Sequence, residues 1–125
     1  MNTLGYFEIQ SSDPEREIDF YSTVFDWSFE RDESVPIEYY RLIGAAVQGA
    51  LLRRPAKVPP KEHGTNAFTC SFQVKNFDKT AQTILDKGGQ MAFPKFAIPG
   101  RCWQGYFLDA DQNVFGIFEV DEDAS

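Results

Sequence analysis

Two successive βαβββ modules, an α+β fold, are predicted by three observations in the amino-acid sequence. The order strand, helix, three strands can be read twice along the chain, and a proline-rich stretch separates the two readings. Phe7-Glu8-Ile9 is also answered by Phe72-Gln73-Val74 at an offset of 65 residues. A four-stranded half cannot close its own sheet, so two paired halves are expected to give an eight-stranded, partly open barrel with helices outside and a concave cleft inside. The expected boundaries within a single domain of 125 residues are a first module at 1–54, a linker at 55–65, a second module at 66–120 and an acidic tail at 121–125.

The elements follow from local pattern. Leu4 to Gln10 alternates Tyr6, Glu8 and Gln10 against Phe7 and Ile9, the two-residue period of a strand with one face on a packed layer. Ser12 and Glu15 are spaced as a capping box, with Pro14 near the first helical position where its missing N–H costs nothing. Ile18, Tyr21, Val24 and Phe25 then share a helical face. Alternation resumes at Trp27 to Arg31, Ser34-Val35-Pro36 breaks it, and strands are expected at Tyr39 to Ile43 and Ala46 to Leu52, about a turn at Gly44. Pro55, Pro59, Pro60 and Gly64 mark a connector, because proline cannot donate to a ladder.

The second half repeats the first. Phe68, Cys70, Phe72 and Val74 alternate with Thr69, Ser71, Gln73 and Lys75 as a strand. Asn76 is placed to cap a helix whose Phe77, Ala81, Ile84 and Leu85 share a face and which Gly88-Gly89 ends. A short strand at Met91 to Lys95, a turn at Ile98-Pro99-Gly100, a strand from Arg101 to Leu108, a polar turn over Asp109 to Asn113 and a strand from Val114 to Val120 complete it.

Composition narrows the function classes. With 42% apolar residues and 19 aromatics, 12 of them Phe, the chain is too hydrophobic for disorder and rich enough in aromatics to favour a sheet-based core. The net charge is −7, and Glu119, Asp121, Glu122 and Asp123 crowd the last seven residues, so the body is only mildly acidic. No basic stripe is present to displace counterions, and nucleic acid is not an expected partner. No basic and apolar leader opens the sequence and no stretch approaches the ~18 apolar residues of a span, so a cytoplasmic protein without a membrane partner is expected. Cys70 and Cys102 stand in neither CxxC nor zinc spacing, and no disulfide is expected. His63, the one histidine, falls in the connector and reads as a solvated loop residue.

The residues Phe7-Glu8-Ile9, Asp13-Pro14-Glu15-Arg16, Phe20-Tyr21, Val24-Phe25-Asp26-Trp27 and Ile98-Pro99-Gly100 carry a family resemblance, as does Asp109-Ala110-Asp111-Gln112-Asn113-Val114-Phe115-Gly116. Together they resemble the vicinal oxygen chelate superfamily of glyoxalases, bleomycin-resistance proteins and extradiol dioxygenases; the last resembles its D-P-x-G-N-x-x-G hairpin. In metal-dependent members, the resemblance implies, ligands of the His or Gln, Glu, His, Glu kind come from the first and last strands of each half. Here those positions fall on Tyr6, on Gln48 or Gly49, near Thr69, and on Gly116. They offer neither an anionic ligand nor an imidazole, so no metal is expected, with a weakly held divalent ion as the alternative.

The resemblance also implies that the polar face of the first strand lines the cleft. Tyr6, Gln48, Thr69, Ser71, Gln73 and Gly116 are the candidate ligand-binding residues, and Trp103 and Tyr106 could stack on a flat ligand or be ordinary aromatic core. Glu8 is the candidate catalytic residue, since a carboxylate buried in an apolar cleft is suited to proton transfer, whereas an exposed one is solvation alone. Gly116 is expected to leave open apolar space where a ligand side chain would otherwise project, and Glu119 reads as a surface residue or a displaced carboxylate. The expected function is binding of a small molecule without metal, by a homodimer that covers exposed aromatics. A glyoxalase-like lyase or isomerase using Glu8 or Glu119 with Gln48, and a regulatory interaction module, are the alternatives.

Overall fold

Strand β1 (Tyr6–Ser11) runs into helix α1 (Pro14–Phe25) through a cap supplied by Asp13, whose carboxylate accepts from the Arg16 N–H at 3.4 Å. The cap is therefore Asp13 and not Ser12, and Pro14 occupies the first helical turn. The helix stops at Asp26, which takes the left-handed conformation at φ 58°. Strands β2 (Ser28–Arg31), β3 (Tyr39–Ile43) and β4 (Gln48–Arg53) complete a four-stranded sheet ordered β1-β4-β3-β2. β1 lies parallel to β4 with Tyr6 opposite Gln48, and the other pairs are antiparallel. The computed structural model describes residues 4–64 and 68–125.

The core of this first unit is aromatic. Phe20 and Tyr21 are buried, and the Tyr21 ring stacks on Trp27 at 5.7 Å while Phe7 and Phe29 close on the same indole. The apolar face of α1 expected from Ile18, Tyr21, Val24 and Phe25 also carries Glu17, which is fully buried. Its charge is met by the Arg16 guanidinium at 2.9 and 3.0 Å and by the Ser11 hydroxyl, so the burial is paired.

The second unit opens with a 3₁₀ turn at Lys61–His63 and then repeats the plan. Its elements are β5 (Ser71–Gln73), α2 (Phe77–Asp86), β6 (Gln90–Ile98), β7 (Cys102–Leu108) and β8 (Val114–Val120), with sheet order β5-β8-β7-β6. Topology and register match the first unit: β5 is parallel to β8, with Ser71 opposite Gly116 as Tyr6 is opposite Gln48. The chain divides into units at Met1–Val58 and Pro59–Ser125, a boundary inside the proline-rich stretch; the end of that stretch at Thr65 and the start of the second module at Asn66 lie outside the described residues.

In the second unit β5, β6 and α2 differ from the sequence expectation, and in the first β4 runs Gln48–Arg53 where the sequence predicts Ala46 to Leu52. β5 is shorter than Phe68 to Val74: Phe68 is fully exposed and Cys70 is also exposed, leaving Phe72 as its inward residue, with Val74 just beyond its end. β6 is longer than Met91 to Lys95: irregularities between Met91 and Phe93 and between Phe93 and Phe96 take Pro94 out of the ladder, and an edge strand tolerates them. In α2 the Asn76 side chain caps Lys79 N–H at 3.0 Å as expected, but Leu85 is exposed and Phe77 and Ile84 alone are buried.

Candidate functional site

Each sheet has one face on its helix and one face turned away from it. In the first unit the face away from α1 carries Tyr6 and Glu8 on β1, Gln48 on β4, and Tyr39 and Arg41 on β3. The Tyr6 hydroxyl donates to Glu8 Oε2 at 2.9 Å and lies 2.5 Å from the Tyr39 hydroxyl. Partial burial, then the hydrogen bonds with Tyr39 and Glu8, push the Tyr6 phenol well above the ordinary tyrosine range, so it is a neutral phenol at physiological pH. Glu8 is exposed, which removes the burial on which its candidacy as a general acid or base rested.

In the second unit one row crosses the sheet: Phe93, Tyr106, Gly116 and Ser71 stand opposite one another on β6, β7, β8 and β5. Gln104 and Phe96 form the next pair, and the Gln104 amide donates to Ser71 Oγ at 3.1 Å. Gly116 does not leave open space. A Cβ there would collide with Ser71 Oγ and come within 2.7 Å of Gln104 Nε2 and 3.1 Å of the Tyr106 ring. A side chain here would have to displace the Ser71 hydroxyl and the end of the Gln104 side chain, and the larger apolar room expected above the glycine is absent.

The open space lies further along the same face. A pocket of about 460 Å³ is lined by Gly64, Thr69, Ala92, Phe93, Phe96, Tyr106 and Val114. Phe96 stacks on Tyr106 at 6.3 Å and meets Phe93 edge-on at 5.5 Å, so three rings form one wall. Thr69 and Tyr106 are thus brought together, while Gln73 falls in a separate depression with Val74, Lys75, Glu119 and Val120.

Trp103 is on the opposite face from Tyr106, three residues away on the same strand. Its indole N–H donates to Asp121 Oδ2 at 3.0 Å, and Lys95 Nζ sits 4.8 Å from its ring and 5.3 Å from that of Phe77. The two aromatics therefore make no common stacking surface. Glu119, also on the α2 side, accepts from the Phe77 N–H at 2.6 Å and so satisfies the helix N-terminus, a structural role that neither reading of the sequence included. His63 is not a freely solvated residue, since its Nε2 lies 3.0 Å from the Gln112 carbonyl and ties the connector to the β7–β8 turn.

That turn is built as the hairpin motif demands. Asp109 is fully buried and accepts from the Asp111 and Asn113 N–H groups and from the Asn113 amide, at 2.8 to 3.0 Å, while Gln112 takes φ 64°. Residues 3–117 match the family model described as Glyoxalase/Bleomycin resistance protein/Dioxygenase superfamily. The chain belongs to this superfamily.

Solved structures of the superfamily and its relatives share the fold. A glyoxalase/bleomycin resistance protein/dioxygenase family enzyme from Burkholderia phytofirmans PsJN superposes with a TM-score of 0.72 at 22% identity, covering 96% of this chain and 100% of that one. The fosfomycin resistance protein FosX from Listeria monocytogenes gives 0.72 at 15% identity over 94% and 90% of the two chains. The hypothetical protein SA1046 from S. aureus gives 0.71 at 15% identity over 95% and 98%. Comparison with curated protein sequences finds no match.

Within the superfamily frame, the matched registers make Ser71, and not Thr69, the second-unit counterpart of Tyr6. The positions at which the resemblance implies ligands are then Tyr6 and Gln48 in the first unit and Ser71 and Gly116 in the second. A phenol, an amide, a hydroxyl engaged by Gln104 and a glycine include neither the carboxylate nor the imidazole with which a divalent cation site competes with water, so they do not fit one. Among the described residues no three His, Cys, Asp or Glu side chains cluster elsewhere as an alternative ligand set. Sequence reasoning missed Phe93, Phe96, Gln104 and Tyr39. Strict parity along β7 would have put Gln104 with Tyr106 and set Trp103 apart, whereas the β6 bulges hide Phe93 and Phe96 from a simple alternation count.

Proposed function

We propose that this chain is a small-molecule-binding member of the superfamily that acts without a metal ion. The observation that carries the reading is the pocket walled by Phe93, Phe96 and Tyr106, with Thr69 as its polar contact. Its volume of about 460 Å³ lies in the range of small-ligand sites, and apolar walls with few polar groups are what such sites present. The donor set at the ligand positions supports the same reading, because Tyr6 is engaged by Glu8 and Tyr39, Ser71 by Gln104, and none of Tyr6, Gln48, Ser71 and Gly116 is itself anionic. A flat, largely uncharged organic ligand is the class that three rings would take.

A thermal-shift screen of aromatic and heteroaromatic compounds on chelator-treated protein tests this. Ligands of the pocket raise the melting temperature by mass action, and Tyr106→Ala abolishes that rise while the protein still melts cooperatively. A screen in which compounds stabilise parent and Tyr106→Ala equally would place the site elsewhere.

The assembly we propose is a homodimer. Met91, Phe93 and Ile98 are exposed on β6, the edge strand of the second sheet, and an apolar edge of this kind is normally covered. Sedimentation of the protein at tens of micromolar should give twice the chain mass; a species at 14.2 kDa would remove this part of the proposal. The free thiols of Cys70 and Cys102 favour a reducing, cytoplasmic setting, and no helix among the described residues is long and apolar enough to cross a membrane.

A further inference from the structure

The hydrogen-bond inventory at Tyr6, Glu8 and Tyr39 defines a second recognition element, separate from the pocket in the other unit. Each phenol has one proton to give. Tyr6 spends its proton on Glu8 Oε2 at 2.9 Å, so the proton in the 2.5 Å link between the two hydroxyls belongs to Tyr39. Both donors are then directed inward along a chain from Tyr39 to Tyr6 to Glu8. What remains for a ligand is acceptors only: lone pairs on the two phenols and the unshared oxygen of Glu8.

The charge around the cluster has the same sense. Among the described residues no cation forms an ion pair with Glu8. Arg41 stands in the same row, across Ala50, but its guanidinium is directed to Glu30 and Asp32, each at 3.9 Å. Tyr6 and Glu8 are exposed and Tyr39 is half-buried, so the acceptors are reachable from solvent.

We infer that the face of the first sheet at Tyr6, Glu8 and Tyr39 binds a protonated amine, with Tyr39 setting that preference by spending its own proton on Tyr6. An ammonium carries up to three donors and no acceptor, which complements a cluster whose protons are already committed. A carboxylate or phosphate would meet lone pairs and the Glu8 charge. Hydrogen bonds to a charged partner are about twice as strong as neutral ones, so the discrimination should be large enough to measure. The assignment adds a ligand chemistry to the proposed binding function without depending on the aromatic pocket.

The test is a nuclear magnetic resonance titration of the nitrogen-labelled full chain at neutral pH with benzylammonium, benzyl alcohol and benzoate, which share a ring and differ in head group. Benzylammonium should shift the amide resonances of Tyr6, Glu8 and Gln48 saturably, and benzoate should not. Glu8→Gln should weaken benzylammonium binding about tenfold or more, and Tyr39→Phe by about threefold, the loss expected for a charge-assisted and a neutral hydrogen bond. Benzoate binding at these resonances as tightly as benzylammonium, the absence of saturable shifts with benzylammonium, or unchanged affinity in Glu8→Gln would each overturn the inference. If Tyr39→Phe fails to fold, the head-group comparison on the parent protein and Glu8→Gln still decide it. Shifts confined to Phe96 and Tyr106 would support the pocket while refuting the amine site, so the two readings fail separately.

Discussion

At the scale of the residue, the β7–β8 turn shows how a motif can be kept while two positions depart from it, Ala110 at the proline and Gln112 at the first glycine. Gln112 occupies the place where the family hairpin has glycine and takes φ 64°, a left-handed conformation that costs a non-glycine residue roughly 1 kcal/mol. Its Oε1 is also buried with no hydrogen-bond partner. Gln112→Gly removes both penalties against a smaller loss from the freer unfolded chain, so it should stabilise the protein by about 1 kcal/mol in urea unfolding. Glu38 gives a pH dependence. The Tyr40 hydroxyl, and then Arg53 at 2.8 Å, hold its carboxyl below the ordinary glutamate range. A depressed folded-state pKa contributes stability that is complete above the unfolded value and drains away as pH falls through the folded one. Glu38→Gln should therefore flatten the acid side of a melting-temperature profile and leave a smaller difference where the parent is already protonated. An unchanged slope would show that Tyr40 and Arg53 do not act on this carboxyl in solution.

At the scale of the element, strand alternation and the α2 start were legible in the sequence and the α1 start to within one residue, whereas long-range register was not. Asn76 and the span of β8 followed from local chemistry alone, because a cap bonds three residues away and alternation needs only near neighbours. Glu119 did not. Its role depends on β8 placing it beside the N-terminus of α2, which sequence spacing cannot express. A carboxylate there satisfies a backbone donor and meets the positive end of the helix dipole, so Glu119→Ala should cost about 1 to 2 kcal/mol, measured by denaturant unfolding, without changing ligand binding. The candidate site divides along the same line. Alternation placed Tyr6 with Glu8, and separately Ser71, on the sheet faces where the structure has them, while the void expected at Gly116 is absent, since the Gln104 side chain that crowds it comes from the neighbouring strand. Phe93 and Phe96 were missed for a related reason: two irregularities in β6 change which side chains face the pocket.

At the scale of the whole molecule, one fold plan is used twice and its two copies have diverged in chemistry. The first presents hydrogen-bonded phenols and a carboxylate, and the second presents an aromatic wall. The strand positions at which the superfamily resemblance implies ligands carry Tyr6 and Gln48 in the first unit and Ser71 and Gly116 in the second. Binding without metal is thus the central claim, and calorimetric titration with a compound taken from the thermal-shift screen measures it most directly. Run on chelator-treated protein, on the same protein with added manganese or zinc, and on Tyr106→Ala, the titration should give saturable binding of equal affinity in the first two cases. In the variant the affinity should fall by about tenfold or more, the loss of a buried aromatic anchor. Binding that appears only when the metal is restored, or that survives Tyr106→Ala unchanged, would contradict the account.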